Sequence, residues 1–235
     1  MTRSAADAPE ARAQPFRVKI CGLTEPGAVE LAVELGASFL GFVLYPPSPR
    51  FVPPERLAEL LERVPETVRS VGVTVDPTDA FLDHVLAHAP LDVLQLHGAE
   101  SPERVRAVAL RTGCRVMKAI RVGEAADLEG IEAFFEAADL LLFDARPPRD
   151  AAWPGGHGLP FDWRLLEGFS APLPWALAGG LETGNLAAAV ELLRPPIVDA
   201  SSGLECAPGI KDPTKVRAFM AEARRIGLRR AEEPD

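Results

Sequence analysis

Lysine and cysteine are scarce in this chain of 235 residues, and each shortage excludes a class of protein. Lysine occupies only four positions and the net charge is −9, which argues against a general binder of nucleic acids or membrane surfaces. The three cysteines, Cys21, Cys114 and Cys206, are too few and too widely spaced for a disulfide framework or a zinc motif. We therefore expect a reducing, cytoplasmic setting.

Long apolar runs are also missing. No run approaches the ~20 residues that a membrane-spanning helix needs, and the N-terminus lacks the apolar segment of a secretory signal. The apolar fraction of 47% is nevertheless that of a globular protein with a sizeable core. We interpret residues 1–15 as a flexible extension, residues 16–228 as one catalytic domain and residues 229–235 as a loose tail.

Short apolar segments alternate with amphipathic segments throughout that domain. Strands that are apolar on both faces, each followed by a helical pattern, indicate a parallel sheet covered by helices. Eight such units predict an α/β fold, a single (β/α)8 TIM barrel, with an open doubly wound sheet as the alternative. The predicted strands are residues 16–21, 39–45, 68–75, 92–97, 115–121, 140–144, 175–178 and 197–200. The predicted helices are residues 27–35, 54–63, 79–88, 102–111, 128–137, 162–168, 183–192 and 213–226.

Barrel active sites lie at the carboxyl ends of the strands, so the polar residues there are considered together. Cys21 ends the first strand, on the same face as Lys19. Its thiol is either a reactive group or a small buried hydrophobe, a common fate of free cysteine. Asp144 ends the apolar sixth strand, where a carboxyl group suits a general acid.

Arg50 and His97 each allow two interpretations. Arg50 follows three prolines in the loop after the second strand, so its guanidinium either holds a carboxylate or is solvated. His97 ends the fourth strand on the same face as Gln95. It is either a functional group at the barrel mouth or a hydrogen-bonded structural residue, and the residues alone favour the structural role.

Small residues follow the seventh and eighth strands. Gly179 and Gly180 form one turn, and the other contains Ser201, Ser202 and Gly203. Such turns expose backbone N–H groups, and many barrels bind phosphate at these two strand ends. The long segment 146–160 after the sixth strand has the length of a functional lid.

His84 and His88 lie four residues apart on a predicted helix, as metal ligands can. No third ligand is near them in the sequence, so we interpret them as a solvated helix face and predict no metal site.

Several short segments, in chain order from about Arg17 to Ile226, resemble one enzyme family, the phosphoribosylanthranilate isomerases of tryptophan biosynthesis. The segments that carry this resemblance are Lys19-Ile20-Cys21-Gly22-Leu23-Thr24, Ser48-Pro49-Arg50, Gln95-Leu96-His97-Gly98, Leu142-Phe143-Asp144, Gly155-Gly156-His157-Gly158, Gly179-Gly180-Leu181 and Asp199-Ala200-Ser201-Ser202-Gly203-Leu204-Glu205.

The resemblance implies a cofactor-independent Amadori rearrangement of N-(5'-phosphoribosyl)anthranilate to 1-(2-carboxyphenylamino)-1-deoxyribulose 5-phosphate. It makes Cys21 the general base and Asp144 the general acid, with Arg50 on the anthranilate carboxylate. The remaining residues that we expect to bind substrate are His97, Gly156, Gly179, Gly180, Asp199, Ser201, Ser202 and Gly203. A small phosphorylated substrate and a monomer or homodimer are the expected partners, without nucleic acid or membrane.

Three other functions stay open. One is a different sugar-phosphate barrel: an indole-glycerol-phosphate synthase would need a catalytic lysine, for which only Lys19 and Lys118 qualify, and a pentose-phosphate epimerase would need a metal-binding set. A barrel that binds a phosphorylated metabolite without turnover is the second. The third is a thiol hydrolase that uses Cys21 with His97.

Overall fold

Eight parallel strands close into a barrel, with neighbours in sequence order and β8 paired to β1. The computed structural model describes residues 16–147 and 161–232, with side chains as far as residue 227. The predicted (β/α)8 barrel is confirmed. The predicted extension 1–15, most of the predicted lid and residues 233–235 lie outside the described residues. The strands are β1 (Arg17–Cys21), β2 (Phe39–Val43), β3 (Arg69–Thr74), β4 (Val93–Leu96), β5 (Arg115–Val122), β6 (Leu140–Ala145), β7 (Trp175–Leu177) and β8 (Ile197–Ala200).

Helices cover the outside of the barrel, and local signals set where they begin. The side chains of Thr78 and Ser101 accept hydrogen bonds from the first-turn amides of α3 and α4, which satisfies N–H groups that lack helical partners. None of the described helices is long and apolar enough to cross a bilayer. The helices are α1 (Pro26–Glu34), α2 (Pro54–Leu61), α3 (Asp79–His88), α4 (Pro102–Thr112), α5 (Leu186–Leu193) and α6 (Pro213–Glu232).

Two predicted helices are wrong in type. The segment after β5 forms two short 3₁₀ turns, Ala125–Leu128 and Ile131–Phe134. Glu129 between them is extended and Gly130 has a φ of 74°, so helical hydrogen bonds cannot run through. The segment 162–168, also predicted to be a helix, forms a single 3₁₀ turn, Trp163–Leu166.

The chain after β8 also departs from expectation. It forms an unpredicted two-stranded antiparallel hairpin, β9 (Glu205–Ala207) and β10 (Ile210–Lys211), before α6 begins. Helix α6 runs to Glu232 and therefore includes the first residues of the segment predicted as a tail. The hairpin lies against two loops. Thr24, in the loop after β1, donates a hydrogen bond to the carbonyl of Gly209 at 2.8 Å, and Gly209 approaches Pro49 in the loop after β2.

The barrel interior changes character along its axis. A cluster of inward apolar side chains, which includes Phe39, Val71 and Met117, fills much of it. At the carboxyl ends of the strands the inward positions become polar and stay buried, as Gln95 and Asp144 illustrate. Because inward positions alternate along each strand, these polar groups converge on one end of the barrel.

An ion pair joins the first and last strands inside the barrel. Nζ of Lys19 lies 2.9 Å from Oδ2 of Asp199, and these two residues are directly paired in the register of β1 and β8. Lys19 is fully buried and Asp199 is 7% exposed. Two charges removed from water depend on each other, because either one alone would be an uncompensated buried charge.

We expect Lys19→Met to lower the free energy of unfolding by about 3–5 kcal/mol, since it leaves the Asp199 carboxylate buried without its cation. The double variant Lys19→Met/Asp199→Leu should recover most of that loss, and Lys215→Met, at an exposed lysine, is the control. Urea unfolding measures all of these. A double variant no more stable than the single one would contradict the interpretation.

Candidate active site

The thiol of Cys21 sits at the inner rim of the barrel, where a glycine makes room for it. Cys21 pairs in register with Gly41 on β2. A Cβ atom at position 41 would lie 2.7 Å from Sγ of Cys21, closer than any carbon side chain could stand. The inward position of the Cys21 thiol therefore requires a glycine at position 41 of the neighbouring strand.

Burial raises the pKa of the Cys21 thiol, and the ammonium groups of Lys19 and Lys211 only partly offset this rise. Asp199 adds to it by repelling the thiolate. The ammonium group of Lys19 is hydrogen-bonded to Asp199 while still acting on Cys21. The resting thiol is therefore mostly protonated near neutral pH.

Asp144, on β6, ends a short row of polar groups that begins at the end of β4. Its Oδ1 accepts a hydrogen bond from the amide of Ala145 at 2.8 Å, and its Oδ2 lies 3.3 Å from Nε2 of His97. Nε2 of Gln95 lies 3.0 Å from Nδ1 of His97 and donates to it. That contact places the imidazole hydrogen on Nε2, which faces the carboxylate. His97 is thus held by Gln95 and also reaches the barrel mouth.

Asp199 interacts electrostatically with both Cys21 and Asp144. Burial raises the pKa of Asp199 and outweighs the opposing charge of Lys19; Asp144 raises it further and His97 lowers it. Cys21 and Asp144 stand at the carboxyl ends of β1 and β6, which are parallel strands of one closed barrel, so the thiol and the carboxyl group share one end of the barrel.

Arg50 is buried at the same rim and is held by an acid that the sequence analysis did not single out. Its Nε and Nη2 donate to the two carboxylate oxygens of Glu205, each at 2.8 Å. Nζ of Lys211 donates to Oε1 of Glu205 at 2.8 Å and to the carbonyl of Ser201 at 3.0 Å. Glu205 thereby orients two cations beside Cys21. The Pro208-Gly209 turn between Glu205 and Lys211 was the sequence signal for this hairpin.

The two small-residue turns lie against each other. Gly179 and Gly180 have φ angles of 83° and 68°, and they follow β7. A Cβ atom on Gly203 would lie 2.3 Å from the carbonyl oxygen of Leu181, so the turn after β8 packs directly on the turn after β7. Ser202 begins a short 3₁₀ turn there. The predicted phosphate-binding residue Gly156 lies outside the described residues.

Several buried polar atoms at this rim have no hydrogen-bond partner among the described residues. They are Oε1 of Gln95, Nε2 of His97, Nε of Arg121 and Oδ1 of Asp199. Buried polar groups are normally hydrogen-bonded. Donors and acceptors without partners, concentrated at one rim, therefore indicate a place that suits a polar ligand.

Arg121 is a second residue that the sequence analysis missed. It pairs in register with Asp144, and its Nη2 donates to the carbonyl of His97 at 2.6 Å. The strand-end rule that selected Asp144 would have found it at the end of β5. Lys19, Arg50, Arg121 and Lys211 place cationic groups at this rim, among the carboxylates of Asp144, Asp199 and Glu205. In a protein of net charge −9, this gathering of cations at one rim suits an anion.

A family model described as N-(5'phosphoribosyl)anthranilate (PRA) isomerase matches residues 18–222. The chain belongs to this family. A phosphoribosylanthranilate isomerase from Paracoccus denitrificans is 55% identical over 206 residues, covering 88% of this chain and 96% of the relative. One from Paramagnetospirillum magneticum is 53% identical over 210 residues, covering 89% and 98%.

Solved structures of phosphoribosylanthranilate isomerases have the same fold. The enzyme from Thermotoga maritima is 34% identical, with a TM-score of 0.79 over 89% of this chain and 98% of that one. Another structure, 33% identical with a TM-score of 0.77 and the same coverage, is a complex with reduced 1-(o-carboxyphenylamino)-1-deoxyribulose 5-phosphate. These likenesses extend over nearly the whole described barrel.

Thiol titration tests the electrostatics of Cys21. In a Cys114→Ser/Cys206→Ser protein, we expect the thiolate absorbance of Cys21 to appear at higher pH in the folded state than in urea, because burial raises the pKa. Adding Lys19→Met should raise the folded midpoint further, since it removes a cation that lowers it. A folded midpoint at or below the unfolded one would disprove this account.

Glu205 should make stability depend on pH. Burial would raise the pKa of this carboxyl group, but the hydrogen bond from Arg50 and the charge of Lys211 outweigh it and hold the pKa below its ordinary value of 4.5. Its contribution to stability is therefore fully present above pH 4.5 and is lost as the pH falls through the folded pKa.

Urea unfolding between pH 6 and 3 should show this difference. Wild-type protein should lose stability more steeply in the acid range than Glu205→Gln, and the two curves should converge at the lowest pH. Parallel curves would show that the carboxylate is not stabilised by its two cations.

Proposed function

We propose that this chain isomerises N-(5'-phosphoribosyl)anthranilate in tryptophan biosynthesis, with Cys21 as general base and Asp144 as general acid. The observation that carries the assignment of roles is the convergence of one thiol and one carboxyl group on a rim that carries cationic groups, beside two small-residue turns. Membership of the family supports the reaction, and the positions of Cys21 and Asp144 at one end of the barrel support their proposed roles.

Asp144 begins the reaction as the acid. Its protonated carboxyl group donates to the ring oxygen of the ribose, the bond between that oxygen and C1 breaks, and the anthranilate nitrogen supplies the electron pair that forms an iminium ion. The row from Gln95 through His97 to Asp144 holds the carboxyl group at the rim. A fixed donor at the breaking bond is what general acid catalysis requires.

Cys21 then acts as the base. Its thiolate removes the proton from C2, and the electron pair of that C–H bond neutralises the iminium, which gives an enolamine that tautomerises to the ketose. The raised pKa of the resting thiol makes it a strong base once it is ionised. The positive iminium, formed in the preceding step, favours the thiolate at the moment when it is needed.

The cationic groups at the rim support binding of the two anionic groups of the substrate. Arg50, oriented by Glu205, lies against Gly22, the residue after Cys21, and suits the anthranilate carboxylate. The turns with Gly179, Gly180, Ser202 and Gly203 suit the phosphate, and we include Gly156 in this set by resemblance. Asp199, Ser201 and His97 complete the proposed binding residues.

The contacts of Lys19, Lys118 and His97 weigh against two of the alternatives. Nζ of Lys118 is 2.7 Å from Oε2 of Glu100 in a buried pair, and Lys19 is paired with Asp199, so neither lysine is presented as the nucleophile of a synthase. Nδ1 of His97 accepts a hydrogen bond from Gln95 and Nε2 lies 3.3 Å from Oδ2 of Asp144, so the ring is oriented toward Asp144, which weighs against a hydrolase pair with Cys21.

The remaining expectations are part of this proposal. A Thermotoga maritima relative 33% identical to this chain is described as dimeric, which supports a homodimer beside the monomer as an oligomeric state. A cytoplasmic location is supported by the small number of cysteines and by the biosynthetic family. We also propose that residues 16–228 form one catalytic domain.

Anthranilate fluorescence with purified protein tests both reaction and roles. Wild-type protein should convert the substrate faster than it hydrolyses spontaneously, and Cys21→Ser and Asp144→Asn should each lower kcat at least ~10²-fold. Cys114→Ser removes a half-buried thiol at the opposite end of the barrel and should leave kcat unchanged. Near-normal turnover in either test variant would remove that residue from the mechanism, and inactive wild-type protein would refute the reaction.

A further inference from the structure

The outer surface of the barrel carries a cluster of three potential metal ligands. His84 and His88 lie one turn apart on α3, and Glu55 approaches them from the first turn of α2. One ligand atom from each residue lies within 4.8 Å of the other two, and all three side chains are exposed. The sequence suggested no metal here because the third ligand is 29 positions away and arrives only through folding.

A hydrogen bond to the backbone fixes the tautomer of His88. Nδ1 of His88 lies 2.8 Å from the backbone carbonyl of His84, so Nδ1 carries the hydrogen and donates it. The lone pair of His88 is therefore on Nε2, directed away from its own helix backbone. Histidines that bind metals commonly have their other ring nitrogen fixed by a carbonyl or carboxylate in this way. The two rings are also close, with centroids 4.5 Å apart.

We propose that Glu55, His84 and His88 form a zinc site that is separate from the barrel mouth. Two imidazoles and one carboxylate are a ligand set that Zn²⁺ uses, with a water molecule in the fourth position of an exposed site. Small side-chain rotations bring ligand atoms that already lie within 4.8 Å to the spacing that Zn²⁺ bonds require.

The site would link two neighbouring helices of the outer layer. Because the ligands come from both α2 and α3, bound Zn²⁺ joins two βα units and stabilises the folded chain over the unfolded one. The three ligand residues are exposed on the helices, whereas Cys21 and Asp144 are buried inside the barrel. Loss of the metal should therefore leave catalysis unchanged.

Calorimetric titration of the full chain with Zn²⁺ tests the proposal in a Cys206→Ser background, which removes the exposed thiol as a competing ligand. We expect one Zn²⁺ per chain. Each of Glu55→Gln, His84→Gln and His88→Gln should weaken binding at least about tenfold. Glu59→Gln is the matched control, because it removes an exposed carboxylate one turn further along α2.

Two further measurements make the outcome decisive. Zn²⁺ should raise the thermal midpoint of the parent protein and of Glu59→Gln, but not that of the three ligand variants. Isomerase activity should be the same in all of them. Zn²⁺ affinity that is unchanged in His84→Gln and His88→Gln would overturn the proposal, and so would the absence of binding to the parent protein. Either result would count against the zinc site whether or not the protein has isomerase activity.

Discussion

The ion pair between Lys19 and Asp199 is the constraint on which the barrel and its active rim both depend. It joins β8 to β1, the two strands whose pairing closes the barrel. A buried pair of this kind does not by itself add much stability, but it fixes which groups can stand around it. Cys21 lies on the same strand face as its cation, and Asp144 and His97 act on its anion. The same buried charges therefore affect both the closure of the barrel and the surroundings of Cys21 and Asp144.

The barrel was predictable from the sequence because each strand is apolar on both faces and local signals begin the helices. Proline or a hydroxyl cap stands at the start of α1 to α4, and the strand boundaries follow the apolar runs closely. The errors arose where tertiary context outweighed helical periodicity. Residues 128–137 have an amphipathic pattern, yet the extended Glu129 and left-handed Gly130 divide them into two 3₁₀ turns.

The site was predictable in part. The strand-end rule found Cys21, Asp144 and His97, and the family resemblance added Asp199; the structure brings all four to one rim. Glu205 and Lys211 were not found, because they sit on a hairpin whose contact with Arg50 spans 155 positions. No periodicity in the chain indicates such a contact. Arg121 obeys the same strand-end rule, and its place beside Asp144 became evident only from the register of β5 and β6.

The placement of lysine has a consequence for the chemistry of the protein surface. All four lysines belong to the described residues, and Lys19, Lys118 and Lys211 are buried in pairs with carboxylates. Lys215 alone among them is exposed, while arginines supply the other surface cations. Among the described residues, acylating reagents, amine-directed crosslinkers and fluorescent esters will therefore meet one exposed lysine, Lys215, whose Nζ donates to the carbonyl of Glu205 at 2.7 Å, so labelling of side-chain amines in the folded barrel should concentrate there.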